Sequence, residues 1–147
     1  MAEINYTEAV DIAAPVERVY DYRLDFTNLP DYNPSVSNFR QTAGEGPGVG
    51  AEYVFDLEIA PGAPPMESPI KVTTAERPSR IVFDTGPGFM ATEDCTFRAD
   101  GDLTHVEFAY VVRIPGDIDD ATRDAIVAQG SGQARTELDH MKKALES

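Results

Sequence analysis

Two glutamates of this 147-residue chain stand among apolar residues, where a carboxylate can transfer protons. In an alternating strand pattern, Glu8 shares a face with Tyr6 and Val10, and Glu93 shares a face with Cys95. An inward carboxylate without a partner has a raised pKa, which suits it to act as a general acid or base. In the alternative interpretation, an arginine or tyrosine pairs with each carboxylate, or the carboxylate lies in water at a strand end. Glu8 and Glu93 are therefore the candidate catalytic residues.

The sequence contains few residues that could bind a metal ion or a cofactor. The histidines are His105 and His140, the single cysteine is Cys95, and neither an HExxH nor a CxxC motif occurs. The glycines from Gly44 to Gly50 are not followed by Lys-Ser/Thr or by a predicted helix, so they indicate a flexible hairpin loop and not a phosphate-binding loop. The sequence predicts neither a metal site nor a cofactor.

Acidic residues outnumber basic residues by 26 to 12, which gives a formal net charge of −14 at pH 7. Nucleic acids and anionic membranes bind Lys/Arg surfaces, so the charge argues against both partners and leaves a cationic partner open. The N-terminus lacks the features of a signal peptide, and no apolar run approaches the roughly 18 residues of a membrane span. We therefore expect a cytoplasmic protein without membrane insertion.

The length predicts one domain over residues 1–147 and leaves the oligomeric state open.

Periodic segments predict the element order β-αα-β-β-β-β-β-β-α. Alternation indicates strands near residues 6–12, 35–42, 53–59, 70–74, 81–83, 91–99 and 106–114, and helical turns occupy 15–32. Four prolines within ten residues predict a long loop over Ala60–Pro69. Apolar residues at spacings of three and four predict a helix from about Asp117 to Glu146, with Asp117 or Asp119 as its N-cap.

Strands joined by short turns imply an antiparallel sheet, and the long C-terminal helix must cover its apolar face, so the fold class is α+β. A curved sheet with one main covering helix leaves space beside its inward aromatic side chains. Small and amide-bearing positions on that helix, such as Gly130, would enlarge this space and offer hydrogen bonds. The candidate ligand-binding residues are Tyr53, Phe55, Phe83, Phe97, Phe108, Tyr110, Ile126, Gln129 and Gln133.

The segment Ala9–Pro34 carries a family resemblance. It contains a strand, an Ala-Pro pair, a helix with Val19-Tyr20, and a Leu-Pro-x-Tyr-x-Pro turn that ends at Pro34. This pattern resembles the start of the SRPBCC superfamily, which includes START, Bet v 1-like and polyketide-cyclase-like proteins, and the element order extends the resemblance over essentially the whole chain. The resemblance implies a helix-grip fold around a ligand cavity. In that fold a seven-stranded antiparallel sheet wraps around a long C-terminal helix, with two short helices between strands 1 and 2.

Three functions remain open at this point. The first is a carrier or sensor that binds a small apolar or amphipathic molecule, lipid-like or polyketide-like, in the cavity. The second, implied by the resemblance, is a cofactor-independent cyclase or dehydratase in which an inward carboxylate moves protons. The third is a protein-interaction module that uses the acidic surface. The absence of a recognisable catalytic triad favours the first.

Overall fold

Seven antiparallel strands form one sheet in the spatial order β1-β7-β6-β5-β4-β3-β2 in the computed structural model, which describes residues 1–58 and 60–147. The strands are β1 (Ala2–Ile12), β2 (Val36–Ala43), β3 (Glu52–Leu57), β4 (Met66–Glu76), β5 (Arg80–Thr85), β6 (Ala91–Asp100) and β7 (Leu103–Ile114). The helices are α1 (Val16–Leu24), α2 (Leu29–Tyr32) and α3 (Asp120–Glu146). The predicted α+β helix-grip architecture is confirmed. Ile59, which ends the predicted third strand, lies outside the described residues.

The register of the sheet brings one row of side chains to the same face. Tyr6 of β1 is opposite Tyr110 of β7, Tyr110 is opposite Glu93 of β6, and Glu93 is opposite Phe83 of β5. Residues directly opposite each other in antiparallel strands share a face and have neighbouring side chains. The alternation of these strands therefore places a carboxylate in an aromatic row on the inner surface of the sheet.

The predicted loop over Ala60–Pro69 was wrong at its end, because β4 already begins at Met66 and includes Pro69. Pro69 is paired with Val54 of β3 on one side, whereas on the other side β5 ends at Thr85, opposite Ile70. Pro69 thus has a strand neighbour on one side only, as proline requires because it has no N–H to donate to a second neighbour. The carbonyl of Pro69 accepts a hydrogen bond from the Thr85 hydroxyl at 2.9 Å.

Helix α3 begins later than the predicted Asp117, because Asp119 is its N-cap and accepts a hydrogen bond from the Thr122 amide at 2.7 Å. The buried residues of this helix are all in its second half: Ala134, Leu138, Met141 and Leu145. Its C-terminal end is further held by Glu146, whose carboxylate accepts a hydrogen bond from the Ala13 amide at 2.8 Å. The two halves of α3 are therefore unequally anchored.

Within the described residues, none of the helices combines the length and the apolar character that crossing a membrane would demand.

Candidate ligand-binding site

A buried arginine joins three elements of the fold at one point. Arg23 of α1 is 1% exposed, and one of its terminal nitrogens donates hydrogen bonds to the Tyr32 hydroxyl at 2.9 Å and to Oε1 of Glu137 at 3.1 Å. The other terminal nitrogen donates to Oε2 of Glu93. Glu93 belongs to β6 and Glu137 to α3, so this cluster connects the sheet with both of its helical covers.

The cluster holds one positive charge between two carboxylates. Burial opposes the charge on Arg23, but the neighbouring groups, Glu93 foremost and Glu137 among them, together outweigh it and raise the pKa of the guanidinium well above its ordinary value. The guanidinium also lies over the Phe108 ring, 4.3 Å from its centroid. Burial raises the pKa of Glu137, with Arg23 acting against the shift and Glu93 adding to it. Removing Arg23 would leave two negative charges buried without a counter-charge.

Both carboxylates have a second hydrogen-bond donor. The Cys95 thiol donates to Oε2 of Glu93 at 2.8 Å, and Nδ2 of Asn33 donates to Oε2 of Glu137 at 2.7 Å. Burial raises the pKa of the Cys95 thiol well above its ordinary value, and the charge on Glu93 raises it further. Cys95 therefore remains a neutral donor at physiological pH. It is positioned to orient Glu93 and is too basic to act as a thiolate nucleophile.

Two stacked tyrosines lie beside the carboxylates. The rings of Tyr6 and Tyr110 are 4.7 Å apart with an interplanar angle of 14°. Burial, together with the charges on Glu93 and Glu137, raises the pKa of Tyr6 to about 12. The same causes raise the pKa of Tyr110 well above its ordinary value. Both phenols are therefore protonated at neutral pH and offer hydroxyl groups to the site.

A cavity of about 190 Å³ opens onto this cluster between the sheet and α3. Its apolar walls include Phe26, Leu29, Phe55, Leu57, Ile70, Phe83, Ala91 and Ala134. Its polar lining includes Tyr6, Arg23, Asn33, Ser68, Thr85, Glu93, Tyr110, Gln133 and Glu137. Pockets for drug-sized ligands usually measure about 300–1,000 Å³, and an apolar cavity of about 150 Å³ can hold benzene. The space thus suits a compact molecule of one or two rings.

The predicted ligand-binding residues lie in three different places: the cavity lining, the buried core and the surface of α3. Those that line the cavity are Phe55, Phe83, Tyr110 and Gln133. Those that are buried in the core without lining it are Tyr53, Phe97 and Phe108. On α3, Ile126 is half-buried and does not line the cavity, and Gln129 lines a neighbouring groove between α3 and residues 33–35.

Glu8 and Glu93, the two predicted catalytic carboxylates, do not lie in the same site. Glu93 lines the cavity beside Arg23. Glu8 instead pairs with Arg135 of α3, at 2.9 Å, and does not line the cavity. Each glutamate therefore has an arginine partner, as the alternative interpretation of the sequence required.

Sequence reasoning missed Arg23 and Glu137, although helical spacing contained a signal for both. Arg23 follows Val19 by four residues, on the apolar face of the predicted first helix. Glu137 follows Ala134 by three residues and precedes Met141 by four, on the apolar stripe of the last helix. A charged residue on each of two apolar helix faces indicates a buried pair.

At Gly130 the backbone of α3 packs closely against Tyr6. A Cβ atom there would lie 2.9 Å from Cε1 of Tyr6 and closer still to its Cζ and hydroxyl oxygen, whereas a Cβ at Gly132 would have no atom within 4 Å. Real Cβ atoms do not make such close contacts, so Tyr6 occupies space that only a glycine leaves free.

We expect Gly130→Ala and Gly132→Ala to change stability in opposite directions. Overpacking costs about 1–3 kcal/mol, and alanine is favoured over glycine in a helix by up to about 1 kcal/mol. Gly130→Ala should therefore lower the free energy of unfolding in urea, and Gly132→Ala should raise it. Adding Tyr6→Ala should remove the penalty of Gly130→Ala. Shifts of the same sign for both alanine variants would contradict the close packing of Tyr6 on the helix.

The sequence matches the family model described as "Polyketide cyclase / dehydrase and lipid transport" over residues 3–146. Among curated proteins, none matches the sequence significantly.

Solved structures with the same fold include two di-domain ARO/CYC proteins and KanY. StfQ, from the steffimycin biosynthetic pathway, is 14% identical with a TM-score of 0.81 over 98% of this chain and 51% of its own. BexL, from the BE-7585A biosynthetic pathway, is 21% identical with a TM-score of 0.78 over 99% of this chain and 50% of its own. KanY is 15% identical with a TM-score of 0.78 over 100% of both chains.

The chain therefore spans about half the length of StfQ and BexL. At these identities the likeness to solved structures shows the fold alone. The family model, in contrast, covers nearly the whole sequence. On that match, the chain belongs to the polyketide cyclase/dehydrase and lipid transport family.

Proposed function

We propose that the protein binds a compact amphipathic molecule, lipid-like or polyketide-like, in the cavity between the sheet and α3. The observation that carries this proposal is a cavity of about 190 Å³ whose apolar walls end on a buried, hydrogen-bonded cluster of Arg23, Glu93 and Glu137. Apolar walls with a few fixed polar groups are typical of sites that bind small molecules and set their orientation. The carrier or sensor function needs nothing more than this site.

Two further observations support the proposal. The family description includes both polyketide cyclases and lipid transport, which share the handling of apolar small molecules. In addition, the charged cluster is energetically demanding, since desolvating ions is repaid only by close pairing and well-placed hydrogen bonds. A protein that needed only a core would be equally or more stable with apolar residues at these positions. The position of this charged cluster at the end of a cavity therefore fits a role in ligand binding.

Filling the cavity tests the proposal. Ala134 is 1% exposed and lines the cavity, whereas Ala125 lies on the exposed surface of the same helix. We expect Ala134→Leu to weaken binding of the neutral fluorophore 2-naphthol by about tenfold or more, because the new side chain occupies the ligand's space, and Ala125→Leu to leave binding unchanged. Urea unfolding of both variants checks that they are folded. Equal 2-naphthol binding by the two variants would contradict a ligand site in this cavity.

Native mass spectrometry of the purified protein gives an independent measurement. We expect the unmodified protein to carry a small co-purified molecule, and Ala134→Leu to lack it. The mass of that molecule would identify the ligand class directly.

A cofactor-independent cyclase or dehydratase is the second candidate, and one observation favours it. Glu137 lines the cavity, its side chain is 13% exposed, and burial raises its pKa. A carboxyl group whose pKa is raised toward neutrality can both give and take protons from a bound substrate. Mass spectrometry separates the two candidates, because a carrier releases its ligand unchanged, whereas a cyclase or dehydratase releases a product that has lost water or closed a ring.

A further inference from the structure

The inner end of the cavity carries an excess of negative charge. Within the described residues, the charged groups that line the cavity are one arginine, Arg23, and two glutamates, Glu93 and Glu137. The other polar groups of the lining, such as the Tyr6 and Tyr110 hydroxyls, are neutral at physiological pH. With both glutamates ionised, the lining therefore has a charge of about −1 in a site shielded from water, where charges interact more strongly than in bulk solvent.

The positive charge is also out of reach of a ligand. The Arg23 side chain is only 1% exposed, and its terminal nitrogens are occupied by the Tyr32 hydroxyl and the two carboxylates. One face of the guanidinium is covered by the Phe108 ring. The Glu137 side chain is more accessible, at 13% exposure. A molecule in the cavity therefore meets mainly hydrogen-bond acceptors and phenol groups, and little of the guanidinium.

We propose that the cavity selects ring compounds with a neutral hydrogen-bond donor, such as a phenol or an alcohol, and rejects carboxylates. This inference rests on the proposed binding function and specifies its ligand class. A hydroxyl group can donate to the Glu137 carboxylate, and its ring can pack against the aromatic walls, as at Phe55 and Phe83. A carboxylate at the same position would face two buried anions, and this repulsion is costly in a desolvated site even where a phenol hydroxyl donates to the ligand. Fatty acids are therefore poor ligands for this protein.

Naphthalene derivatives provide matched probes for this selectivity. The probes are 2-naphthol, its neutral relative 2-naphthamide, the anion 2-naphthoate, which has nearly the shape of the amide, and naphthalene itself. The chain contains no tryptophan, so naphthyl fluorescence can be excited without a contribution from indole. Fluorescence titration near neutral pH gives the dissociation constant of each probe. We expect 2-naphthol and 2-naphthamide to bind about tenfold or more tightly than 2-naphthoate.

Two variants of α3 separate the site from the general acidity of the protein. Glu137→Gln removes one carboxylate from the cavity, whereas Asp139→Asn removes the same charge from an exposed position two residues away. We expect Glu137→Gln to bring the affinity for 2-naphthoate close to that for 2-naphthamide, and Asp139→Asn to leave their ratio unchanged. The ratio should also persist near 1 M salt, where the Debye length of about 3 Å screens the surface charge but not a buried pair.

A pH titration of the unmodified protein replaces Glu137→Gln if that variant does not fold. The charged and titratable groups that face Glu137 are Tyr6, Arg23, Tyr32, Glu93 and Tyr110. The pKa of Glu137 is raised, so it takes up a proton on acidification before an ordinary glutamate does. As the pH is lowered from neutrality, and before it reaches the ordinary pKa of a carboxylic acid near 4, the preference for 2-naphthamide over 2-naphthoate should therefore shrink.

Each contrary result has a distinct meaning. Binding of 2-naphthoate as tight as that of 2-naphthamide would overturn the selectivity while leaving a binding cavity in place. A preference that disappears at high salt would assign it to the surface charge and would also overturn the inference. Failure of all four probes to bind, naphthalene included, would overturn the proposed function itself.

Discussion

Replacing Arg23 with methionine is expected to lower the free energy of unfolding by about 3–5 kcal/mol, the usual cost of removing one partner from a buried ion pair. The reason is that Glu93 and Glu137 would remain buried without a counter-charge. Urea unfolding, followed by far-UV circular dichroism, measures the loss. If the variant is unfolded without denaturant, the loss is a lower limit and the direction of the prediction still holds.

Arg77→Met is the matched control for this substitution. Arg77 makes two hydrogen bonds to the Asp21 carboxylate, at 2.8 and 2.9 Å, but the pair lies on the surface, where water replaces the lost partner. We expect its effect to be several times smaller than that of Arg23→Met. Combining Arg23→Met with Glu93→Gln and Glu137→Gln should restore most of the stability, because no uncompensated charge then remains. A loss for Arg23→Met no larger than that for Arg77→Met would contradict the described cluster.

If the protein is an enzyme, Glu137→Gln is expected to lower kcat by about 10²–10⁴-fold, the usual contribution of general acid–base catalysis. Glutamine keeps the size of the side chain and an oxygen that can accept a hydrogen bond from Arg23 or Asn33, but it cannot transfer a proton. The measurement is single-turnover conversion of the co-purified molecule, or of a ring-closing substrate found by screening. Binding of the substrate should change much less than the rate.

Glu8→Gln and Glu93→Gln complete this experiment. Glu8 pairs with Arg135 and does not line the cavity, so its variant should retain full turnover. Glu93 is the sequence-based candidate, and it is the less exposed of the two carboxylates at Arg23. If Glu93→Gln or Glu8→Gln abolishes turnover while Glu137→Gln does not, proton transfer belongs to that residue and the role proposed for Glu137 is wrong.

The sheet was predictable because its signal is local. Alternating apolar residues define β3 and β7, and the turns between the strands contain glycine, proline or aspartate. The errors have physical reasons that lie beyond local pattern. Pro69 is accommodated because β5 ends opposite Ile70, and α3 starts at Asp120 because Asp119 and not Asp117 caps it. Neither the length of a neighbouring strand nor a choice between two capping residues can be obtained from composition.

The site was predictable only in part, because its contacts join residues far apart in the chain. The alternation of β6 singled out Glu93, but its partner Arg23 is 70 residues away, and the second partner of Arg23, Glu137, is 114 residues away. Strand periodicity indicates that a carboxylate turns inward and gives no information about which cation it meets. That pairing depends on how α1 and α3 are placed over the sheet, which only the three-dimensional structure reveals.

The unequal anchoring of α3 bears on how quickly a molecule can enter and leave the cavity. The buried residues of this helix begin at Ala134, so detaching the turns from Asp120 to Gln133 would break fewer contacts than detaching the second half, chiefly the packing of Gly130 on Tyr6 and the hydrogen bond from Arg123 to the Glu3 carbonyl. Local opening of weakly packed segments requires far less free energy than global unfolding. We therefore expect the first half of α3 to open more readily than the buried second half. Residence times at this site would then be set by helix breathing, on a microsecond to second scale, and not by the lifetime of the folded protein.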